Sequence, residues 1–232
     1  MNVNVGGLIR RERQRRQLSL RELARRVGVS ASMLSQVETG RTRPSVSTIY
    51  AIAAELELSI DALLSGDEAA VTDPVALAST RVREEAAAAL DLVPASQLVR
   101  PEQRRKLELE SGVTWELLSD LLPHLVDFML VTYEPGGRSS SSGKLTRHSG
   151  TEFAFLLSGT LKVQVGFTEY VLRPGDSMGF DSAEPHLLVN EGTEPAVGVW
   201  FVLGRRQAPE ARATRVTRDN GVTVLRYPGS QG

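Results

Sequence analysis

The 232-residue sequence contains no cysteine, and this absence excludes several kinds of chemistry. Without thiols the chain cannot form a disulfide scaffold, a cysteine nucleophile, an iron–sulfur cluster or a thiolate zinc site. Any metal would therefore be bound by histidine and carboxylate side chains. The absence of cysteine also agrees with a reducing cytoplasm, which is the expected location.

Long apolar runs and an excess of one charge are missing as well. Nothing approaches the roughly 18 consecutive apolar residues of a membrane span, and the N-terminus leads into an arginine-rich stretch without an apolar signal core. Basic residues number 27 and acidic residues 28, so the net charge is -1. With 41% hydrophobic residues, this composition is typical of a globular chain, and its length predicts two domains.

The balanced net charge conceals an asymmetry along the chain. Residues 1–65 contain ten arginines and only six acidic residues, which leaves the acidic excess to the remainder. Apolar spacing and cap residues in this basic part predict five short helices and no strand. The outer face of the first helix is expected to present Arg10, Arg11, Arg13, Arg15 and Arg16.

Two of these helices are separated by a short turn. Ser19, with Glu22 three residues later, predicts a capping box before a helix that ends at Gly28. Ser30 is the expected N-cap of the next helix, which ends near Gly40. This spacing is that of a helix-turn-helix, whose second helix can lie in the major groove of DNA.

The order of residues from Leu18 to Ser45 resembles the phage-repressor-like (Xre-type) DNA-binding domain at many positions. The resemblance covers residues 5–65. It implies that Ala31, Ser32 and Gln36 face base edges and that arginines contact phosphates. The DNA-binding residues that it implies are Arg21, Arg25, Ser30, Ala31, Ser32, Ser35, Gln36, Arg41, Thr42 and Arg43. The alternative is a helical protein-interaction module whose arginines only face solvent.

The rest of the chain changes in character twice. Residues 66–96 are expected to be a linker with one alanine-rich helix near residues 81–90. Residues 97–204 contain nine short β-rich runs, which predict a sandwich or a barrel. We expect the run 152–157 to be packed on both faces. Residues 205–232 are expected to form a polar extension with one strand near 222–225. The predicted fold class is α + β, with an all-α domain followed by an all-β domain.

Two motifs in the β-rich part resemble those of the cupin superfamily. The first runs from His148 through Glu152 to Gly159, and the second runs from Gly175 through His186 to Asn190. The resemblance implies a double-stranded β-helix barrel whose ligand pocket includes Thr146, His148, Glu152, His186 and Asn190. In metal-binding cupins the first motif supplies two histidines, and Thr146 stands where the first of them is usual.

The remaining candidate ligands are His148, Glu152 and His186. Two imidazoles and one carboxylate are the composition of a facial triad, so one interpretation is a divalent metal ion such as Fe, Zn, Ni or Mn. The other interpretation is a metal-free pocket for an organic effector. His124, the third histidine, has no partner at ligand spacing and is expected to be structural or exposed.

The order of the two domains implies a function. A DNA-binding domain followed by a ligand-binding barrel is the layout of a transcriptional regulator that binds an operator as a homodimer and senses a small-molecule effector. The alternative is an enzyme, because hydroxypropylphosphonate epoxidase, a mononuclear non-heme iron enzyme, joins a similar helical domain to a cupin with two histidines and one glutamate. The basic surface from Arg21 to Arg43 favours the regulator, and we therefore expect no catalytic residues.

Overall fold

The computed structural model describes residues 5–56, 58, 60–65, 97–119, 126–203, 214–217 and 223–226. The expected linker helix, His124 and most of the extension after residue 204 lie outside the described residues. None of the helices in the described ranges has both the length and the apolar composition needed to cross a membrane.

The N-terminal region is helical, as expected. Its elements are α1 (Val5–Arg15), α2 (Leu20–Val27), α3 (Ala31–Glu38), α4 (Val46–Glu55) and a six-residue segment, α5 (Ile60–Ser65). Their apolar faces meet in a core that includes Leu8, Ile9, Leu23, Leu34 and Ile49, all fully buried. The core fixes the angle between α2 and α3, which carry six of the ten predicted DNA-binding residues.

Serine caps begin three of the helices where the sequence predicts them. The hydroxyl oxygens of Ser19, Ser30 and Ser45 each accept a hydrogen bond from a backbone N–H three residues later, at 3.1–3.2 Å. Gly28 ends α2 with a φ of 73°, in the left-handed region that glycine adopts without a steric cost. The carboxylate of Glu22 accepts hydrogen bonds from the guanidinium groups of α2.

Arg13 corrects one expectation about α1. The sequence predicts this residue on the exposed outer face, but the structure buries its guanidinium against the carboxylate of Glu38. Arg13 Nε and Nη2 donate to the two carboxylate oxygens at 2.6 and 2.9 Å. A third bond, from Nη1 to the carbonyl of Leu18 at 2.9 Å, satisfies a further donor. The pair links α1 to the end of α3.

The C-terminal region is β-rich, and each of the nine predicted strands is present, with small differences at the ends. They are β1 (Lys106–Leu109), β2 (Val113–Ser119), β3 (Val126–Tyr133), β4 (Thr151–Ser158), β5 (Leu161–Val165), β6 (Thr168–Leu172), β7 (Ser177–Asp181), β8 (His186–Val189) and β9 (Ala196–Leu203). Beyond them, β10 (Thr214–Thr217) pairs with β11 (Thr223–Arg226). The sequence predicts the second strand of this hairpin and misses the first.

The nine strands form two antiparallel sheets. The larger has the order β1-β2-β3-β9-β4-β7 and the smaller the order β6-β5-β8. Their inner faces share a core with large side chains from both sheets, among them Trp115, Met129, Val163, Leu188 and Trp200. Between the two sheets lie the candidate ligand residues.

Strand β4 corrects a second expectation, because its two faces differ. Glu152, Ala154 and Leu156 are buried. The alternate residues Phe153, Phe155 and Leu157 are 44%, 45% and 48% exposed. The prediction of burial on both faces was wrong because an apolar side chain on a strand is not by itself evidence of packing. The period of two places Glu152 inside the sheets.

Candidate functional site

Helix α3 and the loop that follows it form the candidate DNA-binding surface. Ser32 and Gln36 are exposed on α3, and Ala31 and Ser35 are half-buried. Ser30 is exposed at the start of the helix, where it is the cap. Arg41 and Arg43 are exposed in the loop, with Thr42 half-buried between them. Ser32 and Gln36, four residues apart, therefore lie on one accessible side of α3, whereas Ala31 packs partly against the hydrophobic core.

Several of these side chains are held by neighbours. Thr42 Oγ1 donates to Gln36 Oε1 at 3.0 Å, which orients the amide of Gln36. Arg25 binds Glu22 one turn earlier on α2 at 2.8 Å. Arg21 is exposed on the same helix. Exposed pairs of this kind contribute little to stability and exchange easily for another anion.

The candidate ligand site lies in the cupin-like region. Its centre is one carboxylate oxygen, Glu152 Oε1, which is 3.0 Å from His148 Nε2 and 3.5 Å from His186 Nε2. Ser182 Oγ donates to the same oxygen at 3.1 Å. The potential ligand atoms of the two histidines and the glutamate lie within 4.8 Å of one another. The structure thus brings together the three residues that the motifs predict.

The hydrogen bonds of the two rings fix how they face the carboxylate. His148 Nδ1 lies 3.0 Å from the carbonyl of Ser149, and His186 Nδ1 lies 2.9 Å from the carbonyl of Glu184. A carbonyl oxygen only accepts, so both Nδ1 atoms carry hydrogen. In neutral rings both Nε2 atoms then present lone pairs to Glu152, as histidines that bind metals do.

His148 Nε2 provides a direct test of whether a metal ion fits. The atom is buried and has no partner in hydrogen-bond geometry among the described residues, although Glu152 Oε1 is 3.0 Å away. Two electron-rich atoms at this distance repel unless a proton or a cation lies between them. The donor set of two imidazoles and one carboxylate suits a divalent transition metal.

Burial controls the protonation of two groups in the site. It lowers the pKa of His186, against the opposing effect of the Glu152 charge. Burial, with a smaller contribution from Glu152, raises the pKa of Tyr133 well above its ordinary value. The site therefore favours a neutral imidazole at His186, the form that binds metals, beside a neutral phenol.

A small cavity adjoins the cluster. It is lined by Glu152, His186 and Thr146 together with aromatic residues that the sequence analysis missed, namely Tyr50, Trp115, Tyr133 and Trp200. The volume open to the centre of a water molecule is about 20 Å³. No motif marks these aromatic residues, and Tyr50 belongs to α4 of the helical domain.

Thr146 and Asn190 differ in how they relate to this site. Thr146 lines the cavity, and its backbone N–H and carbonyl bond those of His186 at 2.9 and 2.8 Å. Asn190 was expected in the ligand pocket, but it is not among the residues that line this cavity. The polar atoms of its side chain instead form hydrogen bonds with the protein backbone. Its Nδ2 donates to the carbonyls of Tyr133 and Glu194 at 2.8 Å, and its Oδ1 accepts from the N–H of Gly192.

Comparisons with known proteins agree with this arrangement. A family described as Helix-turn-helix matches residues 9–63, and one described as Cupin domain matches residues 129–202. The HTH-type transcriptional regulator PuuR of Escherichia coli is 24% identical over 180 residues, which are 77% of this chain and 83% of PuuR. An uncharacterized HTH-type transcriptional regulator of Mycobacterium tuberculosis is 43% identical over 58 residues, 25% of this chain and 41% of its own length.

One solved structure resembles the whole arrangement. A helix-turn-helix family transcriptional regulator from Vibrio cholerae has a TM-score of 0.52 and 21% sequence identity, and the match covers 87% of this chain and 95% of the other. The likeness supports the fold of both regions, because it extends across the helical and the β-rich parts.

Proposed function

We propose that this chain, an Xre-type helix-turn-helix transcriptional regulator with a cupin domain, binds a specific DNA operator through α3 and is controlled by a ligand in its cupin site. The observation that carries the proposal is the accessible, polar side of α3 and its following loop. A helix of this kind fits the major groove, where polar side chains can read base edges.

The residue roles follow from exposure and chemistry. Gln36 reads a base with its amide, and Ser32 and Ser35 add hydroxyl contacts. Ala31 offers only apolar contact, which suits a thymine methyl group. The phosphates of the DNA are contacted by Arg21, Arg25, Arg41, Thr42 and Arg43. Ser30 places the N-terminus of α3 at the DNA backbone.

The ligand site is proposed to bind a divalent metal ion through His148, Glu152 and His186. Such an ion would supply a positive centre that polarises or binds a donor atom of a small-molecule effector. Thr146 lines the cavity beside these ligands and Asn190 secures the turn after β8. No step of catalysis is assigned to any of these residues.

The second candidate function is a non-heme iron enzyme, which the composition of the same cluster favours. Two histidines and one glutamate within 4.8 Å fit an iron-binding facial triad. The cavity of about 20 Å³ is smaller than a substrate needs while Tyr50 stays in place. An organic effector would meet the same limit, so the cavity does not separate the two functions, and it is the accessible, polar side of α3 and its following loop that makes the regulator the stronger proposal.

The finer details of the fold and assembly belong to the same proposal. We propose that α5 completes a five-helix domain and that β1–β9 form a double-stranded β-helix barrel. The protein acts in the cytoplasm as a homodimer. An uncharged apolar patch on β4 and β9 supports a second copy as the partner, because such a patch matches itself across a two-fold axis. It comprises Phe153, Phe155, Leu157, Phe201 and Leu203, all 38–48% exposed.

Selection from a pool of random duplexes tests the proposal. The purified full chain should enrich one sequence made of two inverted half-sites about one helical turn apart, near 34 Å. The matched control is Gln36→Ala with Ser32→Ala, which should lose enrichment at defined positions while still retaining duplexes through its arginines. A pool that stays random after repeated selection by the intact protein would contradict the regulator.

A further inference from the structure

The start of α4 lies against the cupin domain. The backbone N–H of Glu110 donates to the carbonyl of Pro44 at 2.9 Å, and the N–H of Ser47 donates to the carbonyl of Ser139 at 3.1 Å. Val46, between them, is buried and lines the cupin cavity. The helix that follows the DNA-binding loop is thus docked on the ligand-binding domain.

Tyr50 continues this contact into the candidate metal site. Its ring centroid is 4.2 Å from that of His148 and 5.0 Å from that of Trp115. The residue is buried, although α4 belongs to the DNA-binding domain. A side chain of the DNA-binding domain therefore packs directly on one of the three candidate metal ligands.

The size of the cavity decides what can enter while Tyr50 stays in place. The 20 Å³ open to the centre of a water molecule is slightly more than the roughly 10–15 Å³ that one water requires. One water or one metal ion fits this space. An organic molecule of several heavy atoms exceeds this space, so a lining side chain would have to withdraw, and Val46 and Tyr50 are the lining residues that the helical domain contributes.

We propose that Tyr50 closes the cupin site from the DNA-binding domain, so that occupancy of the site and docking of the two domains are coupled. The inference rests on the proposed function, in which the cupin domain holds the ligand. A metal ion fits beside the docked ring, which positions His148, and so favours docking. A larger ligand takes the place of the ring and opposes docking.

Docking of the two domains also involves the DNA-binding surface. Arg43, a proposed phosphate contact, pairs with Glu108 of β1 when the domains are docked. Docking also fixes α3 relative to the cupin domain. In a dimer it therefore fixes the distance between the two copies of α3. Because coupling between sites is reciprocal, the factor by which docking raises metal affinity is the factor by which the metal favours docking.

The first measurement is the affinity for Zn²⁺ alone, by calorimetry on the full chain. Tyr50→Phe keeps the ring and should bind within about twofold of the unmodified protein. Tyr50→Ala removes the ring that positions His148 and should bind about 10- to 100-fold more weakly, as is usual when an outer partner of a metal ligand is lost. If Tyr50→Ala does not fold, Tyr50→Leu keeps apolar volume without the ring.

The second measurement is the docked fraction, by single-molecule energy transfer. The chain has no cysteine, so Gln14→Cys and Phe167→Cys, both at exposed positions, give two unique dye sites, one in each domain. Zn²⁺ should raise the docked fraction of the parent and of Tyr50→Phe, and leave Tyr50→Ala unchanged. Without Zn²⁺, Tyr50→Ala and His148→Ala should each lower docking, and the double variant should lose less than the sum.

These readouts separate the inference from the proposed function. Equal Zn²⁺ affinities for Tyr50→Ala and Tyr50→Phe, with docking unaffected by Zn²⁺, would overturn the coupling and leave the regulator and its metal site intact. A parent protein that binds no Zn²⁺ would contradict the metal site instead. In that case the double-mutant cycle measured without Zn²⁺ decides. Additive losses of the docked fraction from Tyr50→Ala and His148→Ala would overturn the coupling, and non-additive losses would support it.

Discussion

Arg13 and Glu38 carry the most deeply buried ion pair of the helical domain in the described residues, with side-chain exposures of 11% and 3%. Glu38→Gln removes the negative partner and leaves a buried guanidinium without a counter-charge. Such a change costs about 3 kcal/mol of folding free energy. Chemical denaturation should show this loss. The matched control is Glu22→Gln, whose exposed pairs with α2 contribute little, and an equal effect of both changes would contradict the role given to Arg13.

Glu152 is the residue on which the proposed metal binding depends most, because its Oε1 faces both histidines. Glu152→Gln should abolish Zn²⁺ binding, while operator affinity measured without metal stays nearly unchanged. For the parent protein, Zn²⁺ at about 100 times its Kd should add about 2.7 kcal/mol to the stability of the folded state, which a thermal shift would report.

The control for that experiment is Glu184→Gln. Glu184 bonds His186 only through its backbone carbonyl, so its side-chain charge is dispensable. A thermal shift by Zn²⁺ that persists in Glu152→Gln would refute the three-residue site.

At the scale of residues, the sequence predicted the side chains that belong to a motif of known spacing. It did not predict the contacts that form only when distant parts of the chain pack together. His148, Glu152 and His186 were predicted because their separations along the chain are those of the cupin motifs, and they converge as expected. Arg13 and Asn190 were misplaced, because their partners lie 25 and up to 57 residues away. Tyr50 was not considered, because its contact with His148 joins two domains.

At the scale of elements, α3 is the part that we expect to read DNA. Gln36→Ala should cost about 1–3 kcal/mol at one base pair of the operator and relax the preference there. Arg43→Ala should weaken all sequences about equally and reduce the dependence on salt, because one phosphate contact is lost. Anisotropy titrations on the operator and on single-base variants distinguish the two effects. A uniform loss from Gln36→Ala would contradict its role in base reading.

The positions of the strands along the chain were easier to predict than which of their faces are buried. A period of two and frequent Gly, Pro, Asn and Asp marked the nine strands β1–β9 within a few residues. The same pattern does not say whether an apolar face is covered, so β4 was assigned two packed faces. Residues Phe153 and Phe155 are instead exposed in the single chain. Strand β10 was missed because Thr214–Thr217 carries no alternation that distinguishes it from a polar tail.

At the scale of the whole molecule, the exposed face of β4 and β9 predicts the dimer. The full chain should elute as a dimer at micromolar concentration, and Phe155→Asp with Phe201→Asp should make it monomeric, because two charges would be buried in the interface. Phe167→Asp is the matched control, since Phe167 is fully exposed in the turn between β5 and β6. A parent chain that is monomeric under these conditions would remove the basis for paired half-sites.

The central claim also concerns the whole molecule: the chain binds a specific DNA sequence. The most direct measurement compares the affinity of the purified protein for DNA from upstream of its own coding region with that for random duplexes of equal length. At about 150 mM salt we expect the upstream DNA to bind at least about 10³-fold more tightly, and both affinities to fall steeply as salt increases, because arginines displace condensed counterions. Equal affinities for the two kinds of duplex would contradict the account.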